Sequence, residues 1–295
     1  MRWTPGGRND NLEDRRGETG GGGGGFGMGG GGGGGLKLGL GGTVIVLVLS
    51  LVFGKDFTSI LGGGGDPVPG ADAPVSGAPV ASTAAEDSLV EFVNFLLTDT
   101  QDSWRKYFAA AGKPYRDAKL VLFRDQVQSA CGFAQAATGP FYCPGDGKVY
   151  IDLGFYKELD RRFGAPGDFA EAYVLAHEFG HHVQNLLGTE RAMRRLQQQN
   201  PGQGNALSVD MELQADCYAG VWAYSAKGRD KLDPGDVEEG LAAAAAVGDD
   251  RLQKMGQGYV NPETFTHGSS AQRTAWFKRG FAKGDISDCD TFNTR

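Results

Sequence analysis

Between Asp168 and Gly188, apolar residues fall at Phe169, Tyr173, Ala176, Phe179, Val183 and Leu187, three or four positions apart. That spacing is the buried stripe of an amphipathic helix. Asp168 is placed to cap its N-terminus with Glu171 as capping-box partner, and Gly188 supplies a stop. Helical spacing recurs over residues 87–111 (Leu89, Phe92, Val93, Leu96, then Trp104, Tyr107, Phe108), as two short helices or one broken near Thr98 to Gln101. Residues 119–126 and 148–153 have the β-branched and aromatic content of strands, and the stretch 139–147 between them is dense in turn residues. The second strand reads equally as a core strand or as an edge for an extended peptide. Downstream, Ser208 is expected to cap a helix running to about Lys227, with Gly228 at its end. Asp233-Pro234 opens another helix, alanine-rich over 241–247, and Ser269 with Gln272 forms a capping box for a last helix over 270–283. The fold class is therefore α+β, mostly helical with a small sheet.

The pattern changes upstream. Residues 1–35 are polar and then almost pure glycine, and are expected to be disordered. The long apolar run is 36–53, with its dense centre at 44–53. Its eighteen residues, including Lys37 and several glycines, sit at the lower limit for a membrane-spanning helix. A core strand flanked by glycine tracts would have nothing to pair with, and the preceding region is too long for an ordinary signal peptide. The run is read as a signal anchor over 36–57, so the chain is expected to be a single-pass membrane protein. Arg2, Arg8, Arg15, Arg16 and Lys37 precede the span, which favours a cytoplasmic N-terminus and an extracytoplasmic catalytic domain. Residues 58–86, rich in Gly, Pro, Ala and Ser, read as a flexible linker, leaving 87–295 as the folded domain.

Charge and cysteines refine this picture. A net charge of −7 gives nucleic-acid binding no electrostatic support. All four cysteines follow the apolar run, an even number that suggests disulfides in an exported domain. Of three possible pairings, Cys131 with Cys143 would close a short loop, and Cys217 with Cys289 would tie a central helix to the C-terminus.

The chemistry is concentrated on two helices. His177 and His181 lie four apart, so their imidazoles share one helical face and can reach one metal ion. Glu178 is rotated by about 100° from His177, beside the metal rather than on it, where it could take a proton from water. Glu212 and Asp216 are again four apart, on a helix whose Ala215, Ala219 and Gly220 permit close approach. A catalytic zinc wants three protein ligands and an open position, and Glu212 is the best third ligand. Asp216 could accept a hydrogen bond from the far nitrogen of a ligand histidine. Asp210 points away from Glu212 and is expected in solvent; His182, beside a ligand but turned from it, is expected to pack. His267 could donate to a developing oxyanion or be structural, with Tyr259 and Arg273 as rival donors.

Residues 131–290 resemble the bacterial neutral zinc metallopeptidases, a membrane-anchored group similar to the thermolysin-like gluzincins. The resemblance rests on Gly139-Pro-Phe-Tyr-Cys-Pro, Val149-Tyr-Ile-Asp-Leu, His177-Glu-Phe-Gly-His-His-Val-Gln, Glu212-Leu-Gln-Ala-Asp-Cys-Tyr-Ala-Gly and His267-Gly-Ser-Ser-Ala-Gln-Arg. It implies His177, His181 and Glu212 as ligands of one zinc ion, Glu178 as general base, Asp216 behind a ligand, and a zincin-like domain acting on a peptide or protein substrate. The alternative is a non-catalytic, membrane-tethered scaffold in which zinc clamps two helices. The oligomeric state is left open.

Overall fold

A three-residue strand near the N-terminus, Leu12–Asp14, starts the fold seen in the computed structural model, which describes residues 1–18 and 82–293. In chain order the elements are strand β1 (Leu12–Asp14), helix α1 (Ala84–Ala110), and strands β2 (Lys119–Phe123), β3 (Gln126–Ser129), β4 (Gly132–Gln135), β5 (Phe141–Cys143) and β6 (Lys148–Asp152). Helices follow: α2 (Gly154–Arg161), α3 (Asp168–Leu187), α4 (Thr189–Gln199), α5 (Gly204–Gly228), α6 (Asp236–Ala246), α7 (Asp249–Gln257) and α8 (Ser270–Lys283). The chain is mostly helical, with one four-stranded sheet ordered β1-β2-β6-β5 and a separate β3-β4 hairpin.

The sheet decides one open alternative and corrects one expectation. β6 is not an edge. It pairs in parallel with β2, Val121 opposite Tyr150, and antiparallel with β5, Tyr142 opposite Val149. Residues 1–18 are not disordered either, because Trp3, Leu12 and Glu13 among them find specific partners. β1 pairs in parallel with β2, Leu12 is 6% exposed, and Trp3 packs 5.2 Å from the Phe92 ring. Glu13 is gripped by Lys119 and Lys148, each at 2.9 Å. Burial works to raise the Glu13 pKa, but these hydrogen bonds outweigh it and lower it to about 2. The rest of the 1–35 segment, the anchor at 36–57 and most of the linker lie outside the described residues. Among those described, no helix is long and apolar enough to cross a membrane.

Helix boundaries shift where tertiary partners replace local caps. α1 is continuous through Thr98–Gln101 and begins inside the supposed linker, capped by a reciprocal Thr83–Glu86 box. Its would-be break is held by burial of Asp99, Thr100 and Gln101, with Asp99 accepting from Trp222 Nε1 at 3.0 Å and paired to Arg229. Asp168 is the first residue of α3 rather than its cap; Gly167, at φ 113°, takes the cap position. A Cβ there would strike the Glu239 carboxylate, which accepts the Phe169 N–H at 3.2 Å. Asp168 instead faces the Met1 ammonium at 2.8 Å. Ser208 lies within α5, whose first residue is Gly204, and α6 starts at Asp236 behind a Gly235 cap at φ 102°. Gly188 (φ 80°) and the Ser269–Gln272 box behave as expected.

The main core lies between the sheet and helices α1, α3, α5 and α6, with Phe169, Tyr173, Phe179, Trp222 and Phe277 fully or almost fully buried. Small residues set the helix crossings. At Gly180 a Cβ would stand 2.9 Å from the Ala215 carbonyl oxygen, so α3 and α5 meet backbone to backbone. A Cβ on Gly280 would run into the Cys217 carbonyl, so α8 is pressed equally close to α5. Disulfides join Cys131 to Cys143 and Cys217 to Cys289, the second tying α5 to the 3-10 turn Ile286–Cys289.

Candidate metal centre

The α3–α5 crossing brings His177, His181 and Glu212 together. One ligand atom from each lies within 4.8 Å of the others. His177 Nε2 is 3.2 Å from Glu212 Oε2, and His181 Nε2 is 3.5 Å from Glu212 Oε1. Two donors each about 2.0–2.1 Å from a tetrahedral ion stand about 3.3 Å apart, so the set fits zinc. The two imidazoles are perpendicular, with ring centroids 4.8 Å apart.

Both rings are also aimed from behind. His177 Nδ1–H donates to Asp216 Oδ1 at 2.9 Å, and His181 Nδ1–H donates to the Gln184 amide oxygen at 2.8 Å. Each bond leaves Nε2 as the free donor toward the common point. Gln184, fully buried, is itself held because its amide donates to the Met211 carbonyl at 2.7 Å and to Gln214 Oε1 at 3.2 Å. Gln214 in turn donates to the Cys289 carbonyl at 2.9 Å. Asp216, 0% exposed, is the centre of a larger network. Arg273 from α8 donates to it twice, Nε to Oδ2 at 2.8 Å and Nη2 to Oδ1 at 2.9 Å, and the Tyr173 hydroxyl donates to Oδ1. Burial would raise the Asp216 carboxyl, but Arg273 and His177 hold it below the usual carboxylate range. Glu212 is likewise held well below that range, His181 and His177 overcoming its burial. Burial opposes protonation of His177, yet Asp216 and Glu212 raise its pKa to about 10.

Glu178, 8% exposed, sits one residue along from His177 and does not join the donor set. Desolvation pushes its carboxyl up, against the pull of the two histidines, in the direction a general base at neutral pH requires. His267 stands at the start of α8 with its side chain 30% exposed. Its Nδ1 faces Asp249 Oδ1 at 3.2 Å and the Thr266 hydroxyl at 3.0 Å. Asp249 is rigid, accepting the backbone N–H groups of Thr266, His267 and Gly268 at 2.7, 2.7 and 3.0 Å. Burial lowers the His267 pKa, but Asp249 and Glu212 raise it overall.

Two side residues differ from expectation. Asp210 is 7% exposed rather than solvated, because α5 is covered there by the C-terminal segment, whose Thr291 hydroxyl donates to the Asp210 carbonyl at 2.7 Å. Arg273 is a buried partner of Asp216 rather than a free donor. His182 packs as expected, Nε2–H donating to the Arg116 carbonyl at 2.6 Å. A second acidic group, Asp168, Asp236 and Glu239, surrounds the Met1 ammonium and has its cation there. His267 and Arg273, though none of the donor set, line a cavity of about 550 Å³ together with Phe123, Phe155, Phe163 and Leu252 and with charged residues such as Arg124 and Asp152.

Comparison with known proteins agrees with this geometry. A family model described as "Putative neutral zinc metallopeptidase" matches residues 1–292. The uncharacterized protein YpfJ of Escherichia coli K12 is 47% identical over 296 residues, covering 99% of each chain. The uncharacterized protein Rv2575 of Mycobacterium tuberculosis H37Rv is 48% identical over 201 residues, 64% of this chain and 66% of its own. No solved structure matches. With the family match spanning both the N-terminal strand and the two helices that bring His177, His181 and Glu212 together, the chain belongs to the neutral zinc metallopeptidase family.

Proposed function

We propose that this protein hydrolyses peptide bonds, with one zinc ion held by His177, His181 and Glu212 and with Glu178 as general base. The observation that carries the reading is the incomplete donor set: among the described residues three ligand atoms converge, with no fourth in the group. A structural zinc site is closed by a fourth protein ligand, whereas a catalytic one keeps a position open. Zinc held there supplies Lewis acidity, polarising a carbonyl and acidifying water. Glu178 takes a proton from the attacking water as its oxygen bonds to the peptide carbon. It then returns the proton to the departing amine as the C–N bond breaks. His267, whose Nδ1 faces Asp249, donates to the oxygen on which charge develops, a role its contact with Asp249 supports. Asp216 and Gln184 fix the ligand rings, so their part is orientation. The cavity lined by His267, which mixes Phe123, Phe155 and Phe163 with charged residues, is the space assigned to a substrate side chain. The two disulfides support an oxidising compartment, hence an extracytoplasmic domain.

Metal analysis of the purified full chain, paired with digestion of casein or a peptide library, tests this. One zinc per chain and hydrolysis are expected, with Glu178→Gln keeping the metal and losing turnover. A zinc-loaded wild-type chain that cleaves nothing, or a fully active variant, would overturn the proposal.

A further inference from the structure

The N-terminal eighteen residues and the catalytic helices share one folded unit, and the long apolar run 36–53 lies between them in the chain. The attachment is extensive. Besides the β1–β2 pairing, Arg15 N–H donates to the Leu122 carbonyl and Leu120 N–H to the Asn11 carbonyl, both at 2.8 Å, and Arg2 N–H donates to the Lys231 carbonyl at 2.8 Å. Asn9 N–H donates to Asn94 Oδ1 at 2.8 Å on α1. Hydrogen bonds of this length cannot span a hydrocarbon layer about 30 Å thick.

Three of the five basic residues that suggested a cytoplasmic N-terminus are already matched within the fold. Arg2 pairs with Asp233 at 2.7 Å, Arg16 with Asp14 at 2.8 Å, and Arg15 with Glu13. The chain also leaves and rejoins the domain at neighbouring points, since Arg16 and Glu86 line the same cavity as His267. We infer that residues 1–18 and 82–293 lie on the same side of the membrane, so that the connection between them makes no single crossing. A single crossing would strip β1 from the sheet and leave Glu13, Asn9 and Trp3 without the partners described.

Thiol accessibility in the full-length, membrane-associated chain tests the inference. Asp10→Cys and Lys113→Cys introduce single exposed thiols on the two parts, and the native cysteines, all in disulfides, do not compete. A membrane-impermeant maleimide is applied to intact and to permeabilised spheroplasts. Matched behaviour is expected, both positions labelled in intact spheroplasts or both only after permeabilisation; one labelled and the other protected would overturn the inference. A second measurement joins Glu13→Cys to Lys119→Cys, whose native side chains touch, with a short bismaleimide in intact membranes. An intramolecular mobility shift is expected. Absence of that shift, with both thiols shown to be reactive, would also overturn it.

Discussion

Arg273 holds Asp216 with two parallel hydrogen bonds at 2.8 and 2.9 Å, joining α8 to the acid that orients His177. Both groups are out of solvent, so removing one leaves the other charged and unmatched. Arg273→Ala is expected to lower unfolding stability by about 3–5 kcal/mol in denaturant titration. Asp216→Asn, which keeps the shape but loses the charge, should weaken zinc binding about 10–100-fold by competitive chelator titration. Unchanged zinc affinity in that variant would remove Asp216 from the orientation of the site.

The α3–α5 crossing depends on Gly180. Gly180→Ala should cost about 1–3 kcal/mol of stability and lower zinc affinity, because the new methyl pushes Ala215, and with it Glu212, away from the histidines. Gly204→Ala, where a Cβ meets nothing within 4 Å, is the control and should change neither. Equal effects from both would point to helix propensity rather than the crossing.

Glu171 offers a pH test away from the donor set. Burial, with Asp168 adding to it, raises its pKa from 4.5 to about 7. Between those values the folded state holds a proton that the unfolded state has released, so this group's contribution falls as pH rises through 4.5 and is fully unfavourable above about 7. The cost reaches about 3 kcal/mol at most. Glu171→Gln should therefore raise the thermal midpoint at pH 8 and leave it unchanged at pH 4. A gain of equal size at both would show that charge is not the cause.

His267 and Asp249 can be separated from the metal ligands by their readout. His267→Ala should lower kcat about 10²–10³-fold with zinc content intact, and Asp249→Asn should lower it less, since the ring survives with looser orientation. Loss of zinc from His267→Ala would move that residue to metal support.

The sequence displays His177, Glu178, His181, Glu212 and Asp216 because spacing along a helix is a local property. Four residues apart means one face, whatever the rest of the chain does. The supporting residues were hidden for the opposite reason. Gln184 and Asp249 act through partners fixed by the fold, and nothing in their neighbours distinguishes them from ordinary surface residues. Asp168 has the composition of a cap, yet the Met1 ammonium pairs with it while Glu239 of α6 accepts the Phe169 N–H in its place. β1 went unseen because three residues carry no periodicity, and a following glycine tract dominates the composition of that region.

Cys217 immediately follows Asp216, and its bond to Cys289 secures the segment whose carbonyl receives Gln214 and, through Gln184, steadies His181. The aim of His181 is thereby expected to depend on that disulfide. A chain kept reduced would hold its ligand residues in the right order on two helices and still lack the clamp that fixes their aim, so production in a reducing cytosol would yield protein that takes up metal loosely until an oxidant closes that last bond.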